Sequence, residues 1–227
     1  MEQSTSTDVN TKIWDALYEA GNYLTFPSEV FVQLYFRLLG KSKARGSFLD
    51  HGCGSGNNSE FLAKLGWTVT GSDVSAKALE VQRKRVSVFG EGMQQTLLHS
   101  DKSLSGQLQS YSQIVVWDSL CYNRYAKAKD DAAQLAKALL PGGYLFINMP
   151  TAKHEFATQS LRLPDGSYQN NRLGKQQEGA IMTIPDGLED LASWFVGLSV
   201  VERGHFLFDF SGYREFMVLV LQKPSNP

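Results

Sequence analysis

A doubly wound, mostly parallel α/β sheet is the fold class that this residue order predicts, on three observations. From residue 47 onward, short apolar runs alternate with amphipathic helical stretches, the order that builds a right-handed parallel sheet covered by helices. The first run empties into a glycine-rich turn, Asp50-His51-Gly52-Cys53-Gly54-Ser55-Gly56. An aspartate stands at or just past the end of each of the first four predicted strands: Asp50, Asp73, Asp101 and Asp118. Open sheets of this kind bind ligands beyond the C-terminal ends of their strands, where the strand order reverses. Four carboxylates scattered at random would not all fall there.

The elements follow in order. Residues 1–10 are polar and predict a disordered tail. Ile13, Trp14, Leu17 and Tyr18 form an apolar stripe at helical spacing, and Gly21-Asn22 stops that helix. Its aromatics either pack on the domain surface or close over a ligand, with Tyr23 and Phe26 near the hinge. Ser28 is placed to cap a second helix, whose buried face is Phe31, Leu34, Tyr35 and Leu38. Strands are predicted at 47–50, 67–70, 95–99, 111–117, 144–148, 200–208 and 215–221, a seven-stranded sheet with an antiparallel strand at its edge. Ser55, Asn57, Asn58 and Ser59 are candidate caps for the helix after the glycine turn, and Ser75 for the helix after Asp73. Residues 150–185 are too long for a plain loop. Leu161, Leu163, Pro164-Asp165-Gly166 and Tyr168 predict a hairpin there, so this stretch reads as an inserted cap.

Composition bounds the function. The chain has 227 residues, 42% hydrophobic and 20% charged, with a formal net charge of −1. That balance argues against a nucleic-acid footprint, which would be basic. No apolar run is long enough to span a membrane, and the first ten residues carry no secretory core. The two cysteines, Cys53 and Cys121, make no disulfide framework, which suits a reducing, cytoplasmic compartment.

The glycine turn admits two readings, a plain connector or a ligand cradle. Asp73 favours the cradle, because an acid about 20 residues beyond such a turn suits a ribose diol. The spacing departs from the dinucleotide fingerprint: the third glycine falls at Gly56, one early, and Asn57 takes its place. Asp50 would also repel a pyrophosphate and better suits a ligand carrying positive charge. Here the sequence resembles the class I S-adenosylmethionine-dependent methyltransferases. Their first motif is an acid, any residue, then Gly-x-Gly-x-Gly, as in Asp50 to Gly56; their second is Gly-x-Asp-x-Ser, as in Gly71 to Ser75.

The resemblance runs from about Phe48 to Ile147 and implies a Rossmann-like methyltransferase domain over 47–227. It implies an N-terminal helical lid over 11–46 that folds across the cofactor, and the cap insertion at about 150–185. The implied cofactor is S-adenosylmethionine, held by Asp50, Gly52, Cys53, Gly54, Gly56, Asp73, Val74, Ser75, Asp118, Ser119 and Tyr23. Asp101 would accept from the adenine amino group, with Lys102 beside it at the cofactor, although an aspartate after a strand also suits a plain turn. The implied reaction is in-line methyl transfer to a small-molecule acceptor, with no nucleic acid, membrane or metal involved. His154 and Tyr122 are the candidates for handling or orienting the acceptor, beside Asn123. Each also has a structural reading, His154 as a surface residue of the cap. The alternatives are a protein that binds S-adenosylmethionine without turnover and a nicotinamide-dependent oxidoreductase, the latter opposed by Asp50 and the missing glycine.

Overall fold

A computed structural model of the chain describes residues 6–40, 45–89, 93–97, 104, 106, 110–172, 174–210 and 212–225. Two helices come first, α1 (Ser6–Glu19) and α2 (Glu29–Leu39). Then follow β1 (Ser47–His51), α3 (Asn57–Lys64), β2 (Thr68–Asp73), α4 (Ala76–Val86), β3 (Met93–Leu97), β4 (Tyr111–Val116), α5 (Tyr125–Ala138) and β5 (Leu139–Pro150). The cap holds α6 (Glu155–Thr158), β6 (Ser160–Arg162), β7 (Tyr168–Asn170) and β8 (Ile181–Met182). The chain closes with α7 (Leu188–Ser193), β9 (Ser199–Phe208) and β10 (Arg214–Gln222).

The main sheet has seven strands in the order β3-β2-β1-β4-β5-β10-β9. The first five run parallel, and β10 inserts antiparallel between β5 and β9. The reversed strand therefore sits one place in from the margin. The order reverses between β1 and β4, which puts the ligand crevice above their tips.

Each strand sends alternate side chains to opposite faces. Phe48, Val69, Val115, Phe146 and Val220 meet α2 and α3 through Phe31, Tyr35, Leu39 and Leu62. Leu49, Ile114, Val116, Leu145, Ile147 and Leu219 meet α5 and α7 through Ala128, Leu135, Leu191 and Trp194. Full burial of a side chain such as Phe31 stabilises the fold by about 1.5–3 kcal/mol. Trp67 keeps its buried indole N–H satisfied by donating to the Tyr35 hydroxyl at 2.8 Å.

Several boundaries differ from the sequence expectation. Helix α1 begins at Ser6, inside the stretch expected to be tail. The reason is tertiary: Asn10 is buried, donates to the carbonyls of Tyr122 and Ile181, and accepts from the Ile181 amide. The third strand is described at Met93–Leu97, two residues earlier than expected, and His99 lies outside the described residues. The cap hairpin forms as expected around Asp165-Gly166, with Gly166 at φ 84°, and β8 completes a three-stranded antiparallel sheet.

Candidate active site

The turn after β1 is built on backbone hydrogen bonds and missing side chains. The amides of Gly52 and Cys53 both donate to the Ser72 carbonyl, at 2.7 and 3.0 Å, which ties β1 to β2. Gly52 has φ 67°, and a Cβ there would stand 2.2 Å from the Ser119 Cβ. Gly54 has φ 52°, and a Cβ there would stand 2.4 Å from the Tyr18 hydroxyl. Both positions need glycine for left-handed backbone and for close approach. The expected caps of α3 do other work. Gly56 occupies the N-cap position with no side-chain cap. Ser55 and Asn57 instead donate to the carbonyls of Leu24 and Phe26, stapling the loop after α1 onto the turn.

Asp73 ends β2 and is buried. Its two oxygens accept from the Gly54 amide at 2.9 Å and the Ser75 amide at 2.8 Å. Burial outweighs those bonds and pushes its carboxyl up to about 6. The Val74 amide also bonds it, and a carboxylate offers about four acceptor sites, so capacity remains for a ligand. Ser75 caps α4 by accepting from the Ala78 amide, and its hydroxyl donates to Asp15 of α1. Asp50 turns away from the crevice: its Oδ2 accepts from the Ser59 hydroxyl at 2.6 Å, and Gln82 donates to the same hydroxyl at 2.7 Å. Burial pushes the Asp50 carboxyl up to about 7.

At the tip of β4, Asp118 adopts φ 51°, an uncommon backbone for a non-glycine residue. A reciprocal pair holds it there: its amide donates to Asn148 Oδ1 at 2.7 Å, and Asn148 Nδ2 donates to Asp118 Oδ1 at 2.6 Å. Strained backbone held in this way is found at functional sites.

These parts surround an open cleft. Strand tips contribute His51, Gly52, Asp73, Val74, Asp118 and Ser119 to its walls. Helix α1 contributes Asn10, Trp14 and Tyr18; the turn after β4 contributes Tyr122 and Asn123; α5 contributes Lys127 and Asp131; Leu104 adds an apolar patch. Trp14 meets Tyr122 edge-on at 4.9 Å. The Tyr122 hydroxyl donates to Gln177 at 3.1 Å, and burial raises its pKa well above the ordinary tyrosine value.

Of the residues singled out from sequence, Gly52, Asp73, Val74, Asp118, Ser119 and Tyr122 meet on this cleft. Gly54, Gly56, Cys53 and Ser75 shape the turn behind it, and burial pushes the Cys53 thiol up. Tyr23 stacks on Tyr18 at 6.1 Å. Asp101 and Lys102 lie outside the described residues. His154 is not on the cleft wall. It is fully buried between Phe156 and Phe216, and its Nδ1 accepts the Phe156 amide as the cap of α6. Burial lowers its pKa to about 4. Sequence reasoning missed Asn10, His51, Leu104, Lys127 and Asp131. The Lys127–Asp131 pair was open to detection by its i,i+4 spacing on the helix after β4.

Comparison with known proteins agrees with this geometry. A family model described as a methyltransferase domain matches residues 23–196. A ubiquinone biosynthesis O-methyltransferase from Idiomarina loihiensis is 30% identical over 156 residues, covering 63% of this chain and 62% of that protein. A ribosomal RNA small subunit methyltransferase C from Alcanivorax borkumensis is 34% identical over 106 residues, covering 45% of this chain and 31% of that protein. The chain thus spans under two thirds of the length of these curated relatives. A structure of a SAM-dependent methyltransferase from Anabaena variabilis superposes with a TM-score of 0.69 at 17% identity, covering 97% of this chain and 96% of that one. Taken with the glycine turn, the Asp73 tip and the seven-stranded order, the domain match shows that this chain belongs to the class I S-adenosylmethionine-dependent methyltransferase family.

Proposed function

We propose that this chain transfers the methyl group of S-adenosylmethionine to an oxygen of a small-molecule acceptor. The observation that carries this reading is one cleft that joins a side-chain-free turn, Asp73 and Val74 to the aromatic residues Trp14, Tyr18 and Tyr122 and to Asp118. The Tyr18 hydroxyl rests against the turn at Gly54. The turn and Asp73 suit the cofactor. Asp73 keeps acceptor sites for ribose hydroxyls, and Gly52 leaves room for close backbone approach. When bound, S-adenosylmethionine supplies a methyl group already activated on a sulfonium. The remaining work falls to the chain: to bind, to hold the acceptor in line, to exclude water and to take a proton. Orientation of this kind supplies about 7–11 kcal/mol.

Asp118 is the carboxylate placed to take the acceptor's proton. Asn148 holds one of its oxygens, and Asp118 lines the cleft. Tyr122 stays protonated and serves as wall and positioning group. The O-methyltransferase names of the relatives support oxygen as the target atom. The net charge of −1 and a cleft walled in by α1 favour a small acceptor over an RNA. Free, buried thiols at Cys53 and Cys121 support a cytoplasmic location.

The test is a screen of phenolic metabolites for release of S-adenosylhomocysteine, run beside thermal melts. S-adenosylhomocysteine should raise the melting temperature, as a native-state ligand does, while NADH and NADPH should not. Asp118→Asn should lower kcat by about 10²–10⁴-fold, the contribution of a general base, with S-adenosylhomocysteine affinity nearly unchanged. Lost affinity in that variant would move Asp118 to the cofactor side. Binding without turnover of any acceptor would favour a sensing role.

A further inference from the structure

Among the described residues, two that are not glycine hold a left-handed backbone: Asp118 at φ 51° and Gln177 at φ 67°. Asp118 lines the cleft. Gln177 belongs to the cap, in the loop before β8, and is not on the cleft wall. Its side chain nevertheless reaches a wall residue, because its Oε1 accepts the Tyr122 hydroxyl at 3.1 Å. The uncommon backbone is held by its neighbours. Asn170, itself buried, donates from Nδ2 to the Gln177 carbonyl at 2.8 Å, and the Ala180 amide donates to the same carbonyl at 3.1 Å. The Gly179 amide closes the loop onto the Asn170 carbonyl at 2.7 Å. A strained residue held in place by several bonds, and bonded in turn to a cleft residue, points to use rather than accident.

Tyr122 is fixed elsewhere by other elements. Asn10 of α1 donates to its carbonyl at 2.8 Å, and the Trp14 and Phe156 rings meet its ring edge-on at 4.9 and 6.4 Å. The Gln177 bond settles the remaining freedom, the direction of the phenolic proton. A phenol has one proton to give and two lone pairs to receive with. Once the proton is committed to Gln177, the Tyr122 oxygen can only accept from a molecule in the cleft. Asp118, on the same cleft, also only accepts once it is ionised. Resting on the methyl-transfer reading above, we propose that Gln177 is a positioning residue of the acceptor site, which fixes the Tyr122 hydroxyl as a hydrogen-bond acceptor so that the cleft selects molecules carrying an O–H or N–H donor. Molecules that present an ether, ester or ketone oxygen to Tyr122 are disfavoured, because two lone pairs then face each other with no proton between them. The cap thereby takes part in specificity without lining the cleft at this point.

The test uses the full chain saturated with S-adenosylhomocysteine and two small aromatic probes, phenol and anisole, whose oxygens differ in carrying a proton or a methyl group. Ligand-observed NMR titration measures both. The unmodified protein should favour phenol by roughly tenfold or more, in line with discrimination by a site whose polar group would otherwise be left unpaired. Gln177→Gly suits the left-handed backbone and removes only the side chain, so it should melt no lower than the parent and bind S-adenosylhomocysteine equally well. Its Tyr122 proton is free to turn toward the probe, so anisole should gain affinity and the preference should fall to within about threefold. Gln177→Glu supplies an acceptor of the same reach and should keep the parent's preference. A preference retained in Gln177→Gly would assign donor selection to Asp118 and overturn the proposal. A preference lost in Gln177→Glu would also overturn it, by showing that the amide donates to Tyr122 instead of accepting. Equal affinity for the two probes in the unmodified protein, or binding of neither, overturns it while leaving methyl transfer standing. Failure of S-adenosylhomocysteine itself to bind would instead refute the cofactor reading.

Discussion

An added side chain at Gly54 would meet the Tyr18 hydroxyl at 2.4 Å on a backbone at φ 52°. Gly54→Val should therefore push α1 off the turn and abolish S-adenosylhomocysteine binding. Left-handed backbone costs a non-glycine residue about 1–2 kcal/mol, so the domain should still melt cooperatively. Normal binding in that variant would reduce the turn to a connector. Asp50 makes a different demand. Its folded pKa of about 7 exceeds the ordinary 3.8, so the folded state holds the proton more tightly than the unfolded chain. Stability from this group is present below about pH 4 and is lost as pH rises through 7. Thermal melts between pH 5 and 8 should show stability falling with pH, and Asp50→Asn should flatten that slope. A slope unchanged in the variant would assign it to other groups, Asp73 and Asp131 among them.

At the scale of elements, α1 is the least self-sufficient helix. It packs on α4 and β8, and Asn10 alone makes three hydrogen bonds to the Tyr122 and Ile181 backbone. Asn10→Ala would leave those buried peptide groups without partners, at about 1–3 kcal/mol each before relaxation. We expect limited proteolysis to cut the variant between α1 and α2 well before the rest of the domain, and S-adenosylhomocysteine to slow that cleavage in the parent chain. Equal cleavage of both proteins would mean that Asn10 does not anchor the helix. None of this was legible in residues 1–10, because an asparagine whose partners lie at Tyr122 and Ile181 has no local signature. Trp14 and Tyr18 were legible as an apolar stripe, yet the stripe alone left open whether they pack or line a ligand. The glycine turn and Asp73 were legible because their chemistry is local: spacing along one strand, turn and helix start. The Lys127–Asp131 pair was legible in its spacing, but its meeting with His51 on one cleft was not, because the two lie on different elements far apart in the chain. His154 misled for the same reason, since its neighbours Phe156 and Phe216 come from different elements.

The molecule as a whole carries no strong charge of either sign. Nucleic-acid affinity should therefore be weak and without a steep salt slope at about 0.15 M salt, because few counterions are available to release. Filter binding with structured RNA over a salt series measures this; tight binding with a steep slope would point to the chemistry named for the ribosomal RNA relative. Strand order and the two apolar layers followed from the alternation of runs along the chain. Hairpin closeness predicted that β9 and β10 close the sheet edge as an antiparallel pair, but not that β10 would be the inner strand, beside β5.

The docking of α1 across both α4 and the cap strand β8 also has a kinetic side. A ligand seated against Gly52 and Asp73 would share its cleft with Trp14 and Tyr18 of that helix, so we expect it to exchange with solvent faster when the helix is displaced. The spent cofactor should then be the slower product to depart. Turnover would follow a compulsory order, with the cofactor entering first and S-adenosylhomocysteine leaving last. Product inhibition would be competitive against the cofactor and noncompetitive against the acceptor. Variants that loosen α1, Asn10→Ala first, should raise the dissociation rate of S-adenosylhomocysteine even where they weaken the fold.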